Sequence, residues 1–279
     1  ANVILNTLGQ SVTFLFVDST QGWVNIQDST SNERGNDKIV ATGGTVTTCG
    51  NCKIHTFTGP GTFTVSAISP CAANNVVSYQ VVAGGGGGGG GSSGSWAGGG
   101  GGAGGFREVK SPLTPYTASP LDGYPSSPNR VTVSAGAIPV TVGGGGPGSA
   151  CTGSTPGTQG TTSTFSTISS AGGGGGGAGA CLGSNGGNGG SGGGAGSTGQ
   201  NGGRQGGTGN TPPVSPAQGF AGGCSAKDHE PGAGGGGATA VGSNSIDNSG
   251  NPRPGGAGAT TSISGSAVTK SVGGASGNH

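Results

Sequence analysis

The residues best suited to chemistry lie in a few clusters. Cys49-Gly50-Asn51-Cys52 has the spacing of a redox pair, but such pairs open helices, whose dipole lowers the thiol pKa. Here strand-like TVTT precedes and strand-like KIHTF follows, so Gly50-Asn51 reads as a hairpin turn. The flanking cysteines then face each other as a hydrogen-bonded pair with wide Cα spacing. They bridge each other, or one of them pairs with Cys71. His55 adds a third ligand for zinc, and a fourth is missing. Cys151, Cys181 and Cys224 lie in or beside glycine-rich stretches. One bridge is expected among them, with Cys181 tied to the loop of Cys151 or of Cys224, at a gain of ~2–4 kcal/mol. An even cysteine count in a core-poor chain points to disulfides and an oxidising destination.

The run Lys227-Asp228-His229-Glu230 is the densest titratable cluster. Asp228, His229 and Glu230 could hold a metal or move a proton, but the run reads as a solvated polar loop. No G-x-S-x-G context supports a serine nucleophile. The glycine motifs lack both a βαβ setting and a following Lys-Ser/Thr. The expectation is therefore no enzyme, with no catalytic residue, metal or cofactor. Aromatic and arginine side chains are the usual anchors of recognition surfaces, and they gather between the glycine runs. Tyr116, Tyr124, Arg130, Phe220, Lys227, Asp228, His229 and Arg253 are the candidate binding residues. Trp96 and Phe106, each close to a glycine run, read as caps on its ends.

These residues need a scaffold, and composition restricts what it is. Of 279 residues 73 are glycine, while 28% are apolar and 7% charged, too few for an ordinary core throughout. A formal net charge of +1 argues against a nucleic-acid partner, and no apolar stretch nears the ~18 residues of a membrane span. Methionine is absent even at position 1, which predicts a processed product or part of a longer chain.

Three regions follow from the pattern. Residues 1–37 hold a β-hairpin, SVTFLFV and GWVNIQD, and a polar connector. Residues 38–83 form a small β module of short β-branched strands. Residues 84–279 alternate glycine runs with ornate loops at 106–130, 210–232 and 244–255. A flexible linker has no reason to return to glycine after each loop. Polyglycine can form an extended threefold helix with no internal hydrogen bonds, rising ~3.1 Å per residue. Its buried N–H and C=O groups must then pair with neighbouring helices. The expected fold is an all-β N-terminal part followed by a polyglycine-II bundle or sandwich with long irregular loops, and essentially no α-helix.

ATGGTVTTCGNCKIHTFTGPGTFTV, then VVSYQVVAGGGGGGGG and AGGGGGAGGFRE, resembles the glycine-rich modules of tail-fibre and other virion surface proteins of phages and large viruses. GQSVTFLFVDSTQGWVNI resembles the terminal strand repeat of a trimeric fibre shaft. More distantly, the glycine architecture is similar to the tip adhesins of T-even-type phages, where polyglycine-II helices display receptor-binding loops. The resemblance implies an extracellular, virion-surface adhesin, trimeric through its N-terminal part, that binds a host saccharide or outer-surface protein. A purely structural filament subunit is the alternative. A second alternative, ice binding, rests on similarity to the snow-flea antifreeze proteins.

Overall fold

A computed structural model of the chain describes residues 12–20, 22–28, 38–92, 96–150, 154–199, 202–226, 231–246 and 250–277. Its regular structure is essentially all β, with no α-helix among the described residues and a single 3-10 turn at Ala72–Asn75. β1 (Val12–Asp18) and β2 (Gly22–Asp28) make the expected hairpin, with Phe16 opposite Trp23 and their rings 5.3 Å apart. Leu15, Phe16, Val17 and Trp23 are all exposed, because a lone two-stranded ribbon has nothing to bury them against.

The β module follows. It begins with β3 (Val40–Thr42), β4 (Thr45–Cys49), β5 (Cys52–Thr56), β6 (Gly61–Ala67), β7 (Val76–Val77) and β8 (Tyr79–Val82). It continues with β9 (Phe106–Val109), β10 (Val131–Thr132), β11 (Gly136–Thr141), β12 (Ser163–Phe165) and β13 (Ile168–Ser170). One antiparallel sheet runs β13-β12-β11-β6-β3, and β8–β9 and β7–β10 form antiparallel pairs beside it. Strands before and after residue 83 thus share sheets. Period-two alternation on β6 buries Phe63 and Val65 while Thr62 and Thr64 stay exposed, as a pleated strand with one covered face requires. They join Tyr79, Val81, Val109, Val131, Val133 and Ile168 in the apolar core. A last hairpin, β14 (Ala259–Thr261) with β15 (Val268–Lys270), lies near the C-terminal end of the chain.

The glycine runs form a second body of packed main chain. Their hydrogen bonds step by three residues. Ala83, Gly86 and Gly89 donate to the carbonyls of Gly105, Gly102 and Gly99, between antiparallel segments. Gly99, Gly102 and Gly105 donate in turn to Gly177, Gly174 and Ala171. Gly173, Gly176 and Gly179 donate to Gly84, Gly87 and Gly90, between parallel segments. Donor–acceptor distances are 2.8–3.1 Å throughout these sets, within the ordinary range. A Cβ on Gly101 would strike the carbonyl of Gly86, and one on Gly86 the carbonyl of Gly174. Ala103, Ala195 and Ala233 mark buried places where one methyl fits.

The expected disulfides are corrected by this structure. Cys49, Cys52, Cys71, Cys181 and Cys224 are free thiols, and Cys151 lies outside the described residues. Cys49 sits directly opposite Cys52 at the end of the β4–β5 ladder, yet the two thiols are not bridged. Cys181 is exposed, and the Cys224 thiol donates to Gln205 Oε1 at 3.4 Å. Main-chain hydrogen bonds, not sulfur, hold these segments.

Candidate functional site

The segment 106–130 is tied down from below. Glu108, only 2% exposed, accepts from the Ser119 N–H at 2.9 Å and the Thr261 hydroxyl at 2.5 Å. Asp122 Oδ1 accepts from the N–H groups of Lys110 and Tyr124, each at 3.0 Å. Tyr116 leans into this carboxylate pair, and its hydroxyl donates to the Val109 carbonyl at 3.2 Å. Burial, then the negative charges of Glu108 and Asp122, hold its phenol well above the usual tyrosine range. Tyr124 is half-buried against the apolar core. The two tyrosines selected from sequence therefore serve mainly to anchor the loop.

Asn129 is the junction of the site. Its carbonyl accepts from the Tyr79 hydroxyl at 2.7 Å, and its Oδ1 from Arg107 at 2.6 Å. Its Nδ2 donates to Gly123 at 3.2 Å and to Ser215 at 2.8 Å, joining the loops 106–130 and 210–220. Burial pushes the Tyr79 phenol up to about 12, against the opposing pull of Arg107. Gln218, 1% exposed, does the same work on the lattice side. It accepts from the Ala171 N–H and donates to the Pro212 carbonyl, both at 2.8 Å.

Two cavities open on loops held in this way. The first, about 350 Å³, is lined by Pro120, Leu121, Phe220, Thr239, Gly258, Ala259 and Thr260. Phe220 donates to Gly237 and accepts from Gly192, both at 2.9 Å. The glycine lattice thus fixes its main chain while its side chain stays 37% exposed. The Thr239 hydroxyl donates to Gly258 at 3.0 Å on the opposite wall. This apolar cleft with a half-exposed ring and threonine hydroxyls suits stacking and van der Waals contact.

The second cavity, about 240 Å³, is lined by Ser127, Arg130, Val131, Thr132, Ser166 and Thr167. Neither lining contains a carboxylate, imidazole or thiol. Among the described residues no three of His, Cys, Asp and Glu gather as a metal would need, and the His55 Nδ1 lies 2.9 Å from the Gly43 carbonyl.

Of the residues chosen from sequence, Phe220 and Arg130 reach a cavity. Arg253 is held in the lattice through its main chain, donating to Ser276 Oγ at 2.9 Å and accepting from the Ser276 N–H at 3.0 Å. Lys227, Asp228 and His229 lie outside the described residues. Sequence reading missed Leu121, Thr239 and Thr260 in the cleft and the four hydroxyl residues beside Arg130. Serine and threonine are too common in this chain to stand out; the one available signal was that Asn129-Arg130 closes a proline-rich loop.

No curated protein and no solved structure matches the chain. A family model described as a glycine-rich domain matches residues 56–279, most of the β module and the whole hydrogen-bonded glycine body, and this chain belongs to that glycine-rich domain family.

Proposed function

We propose that this chain is the receptor-recognising end of a virion fibre, with loops displayed on a stiff slab of polyglycine-II helices. The three-residue step of the main-chain bonds supports the helix type, since a threefold extended helix returns each N–H to the same side every third residue. Stiffness serves recognition because loops already fixed lose less entropy on binding. The observation that carries the reading is the convergence of Leu121 and Phe220, from two separate loops, on one lattice-anchored cleft. A host saccharide or outer-surface protein is the ligand. The apolar β1–β2 hairpin supports assembly into a trimer, which would cover Leu15, Phe16 and Trp23 and add avidity. The chain is placed by this reading at the virion surface.

The test is binding of the labelled protein to a panel of intact host cells. Phe220→Ala is expected to weaken attachment at least tenfold with the fold retained. Attachment that survives both this change and replacement of residues 106–130 overturns the reading.

A further inference from the structure

The cavity around Arg130 is distinct in chemistry from the apolar cleft. We infer that it is an anion subsite, taking the carboxylate or phosphate of a single charged sugar residue through Arg130 and the hydroxyls of Ser127, Thr132, Ser166 and Thr167. This deepens the receptor reading and rests on it for the biological role of the ligand, though the binding chemistry stands alone.

Three observations support the assignment. First, the charge is one-sided. No acidic residue lines the cavity, and a second guanidinium, Arg107, bonds to residues next to its lining. Arg107 is 8% exposed and donates to Asn129 Oδ1 at 2.6 Å and towards the Ser169 carbonyl at 3.5 Å. Asn129 adjoins Arg130, and Ser169 is two residues past Thr167. The buried cation therefore clamps together the two segments that carry the walls. Its hydrogen-bond partners are a neutral amide and a carbonyl rather than a carboxylate.

Second, the backbone keeps a hydroxyl at some cost. Ser166 opens the two-residue turn between Phe165 and Ile168 with φ +54°. That position favours glycine, and a serine there is strained. In a chain with 73 glycines, the turn instead carries a serine that lines the cavity. Strain of this kind concentrates at ligand contacts.

Third, the size suits a small charged group. At about 240 Å³ the cavity falls below the roughly 300–1,000 Å³ of drug-sized pockets. It offers room for one sugar unit or the charged end of a chain, beside the buried Val131. Hydroxyl-rich walls pair with sugar hydroxyls, and the guanidinium gives a charge-assisted bond to the oxyanion.

The experiment is an amide-resolved NMR titration of the full chain with methyl β-D-glucuronide, glucose 6-phosphate, methyl β-D-glucoside and inorganic phosphate. At least one of the two charged sugars should shift the amides of Arg130, Thr132, Ser166 and Thr167, and which one does so identifies the oxyanion. The neutral glucoside should bind at least tenfold more weakly. Arg130→Gln should cost tenfold or more in affinity for the charged sugar. Ser166→Gly should raise the melting temperature while weakening the charged sugar at least threefold, a combination that a merely structural serine would not produce. Equal shifts from glucoside, binding of inorganic phosphate alone, or full affinity in Arg130→Gln overturns the inference. Cell attachment separates it from the receptor reading. Sugar binding at Arg130 with attachment unaffected by the cleft and loop changes defeats the receptor role alone. Attachment that needs Phe220, with no charged-sugar shifts, defeats the subsite alone.

Discussion

In the β module, Phe63, Val65, Val81, Val109, Val131 and Ile168 exclude water with side chains. In the glycine region, Gly99, Gly102 and Gly105 exclude it with carbonyls and N–H groups of adjoining segments. The first interior follows buried apolar area. The second satisfies buried polar groups that would otherwise be costly, and it works only while no side chain intrudes. The same mutation class should therefore act oppositely in the two places: the module suffers from atoms removed, the lattice from atoms added.

The sharpest contrast is Gly101→Ala. The added methyl would collide with the Gly86 carbonyl, forcing apart segments joined by the Gly86–Gly102 bond at 2.8 Å. Overpacking and broken main-chain bonds together predict a loss of at least about 3 kcal/mol, read by chemical denaturation. A stability within about 0.5 kcal/mol of the parent would break the comparison, because surface substitutions alone behave that way.

Val109→Ala comes next. Val109 is 0% exposed in the apolar core, and losing its methyl groups should cost about 2 kcal/mol. That a methyl gained in the lattice should cost more than methyls lost from the core is the comparison in its strictest form. Hydrogen exchange sharpens it further. Amides of Gly99 and Gly102 should be slow although only main-chain atoms pack against them, and fast exchange there would remove the lattice altogether.

Alkaline pH should separate the two regions more gently. The folded Tyr79 phenol is raised from 10.0 to about 12 by burial. A group raised on folding contributes stability that is complete below its unfolded pKa and is lost as pH climbs through the folded value. Stability should thus decline between pH 10 and about pH 12, with Tyr116 acting in the same direction. Tyr79→Phe should flatten part of that decline. An unchanged pH profile in this variant would mean that the Tyr79–Asn129 junction does not carry the linkage.

Legibility in the sequence followed the same divide. The β1–β2 hairpin and the Gly50-Asn51 turn could be read because period two and turn chemistry are local. The all-β character was legible for the same reason. The pairing of β6 with β11 and β8 with β9 was not, since nothing near Thr64 or Gln80 specifies a partner across a glycine run. Disulfides were expected from cysteine parity, a compositional argument that the opposed Cys49 and Cys52 and the exposed Cys181 do not support. In the candidate site, Phe220 and Arg130 stood out as an aromatic and a cation among glycines. Asn129 and Gln218 did not, because their importance lies in buried amide bonds to the main chain of distant segments. Tyr116, a candidate binding residue in the sequence, bonds to the Val109 carbonyl beside Glu108 and Asp122, neighbours that sequence cannot show.

The smallest effect tests whether the lattice has an outside. Gly144 belongs to the run 143–146 on the exposed flank, and a Cβ built there meets nothing within 4 Å. Its φ lies outside the left-handed region, so alanine fits without backbone strain. The unfolded chain loses conformational freedom while the folded one loses no contact, so Gly144→Ala should stabilise by about 0.4–1 kcal/mol. Set beside Gly101→Ala, it holds the chemical change fixed and varies only the neighbours. A gain at Gly144 with a large loss at Gly101 would show that glycine is required where carbonyls converge and merely tolerated where they do not. Loss at both positions would mean that the outer run is also packed against something, and a second copy of the slab would be the first partner to seek.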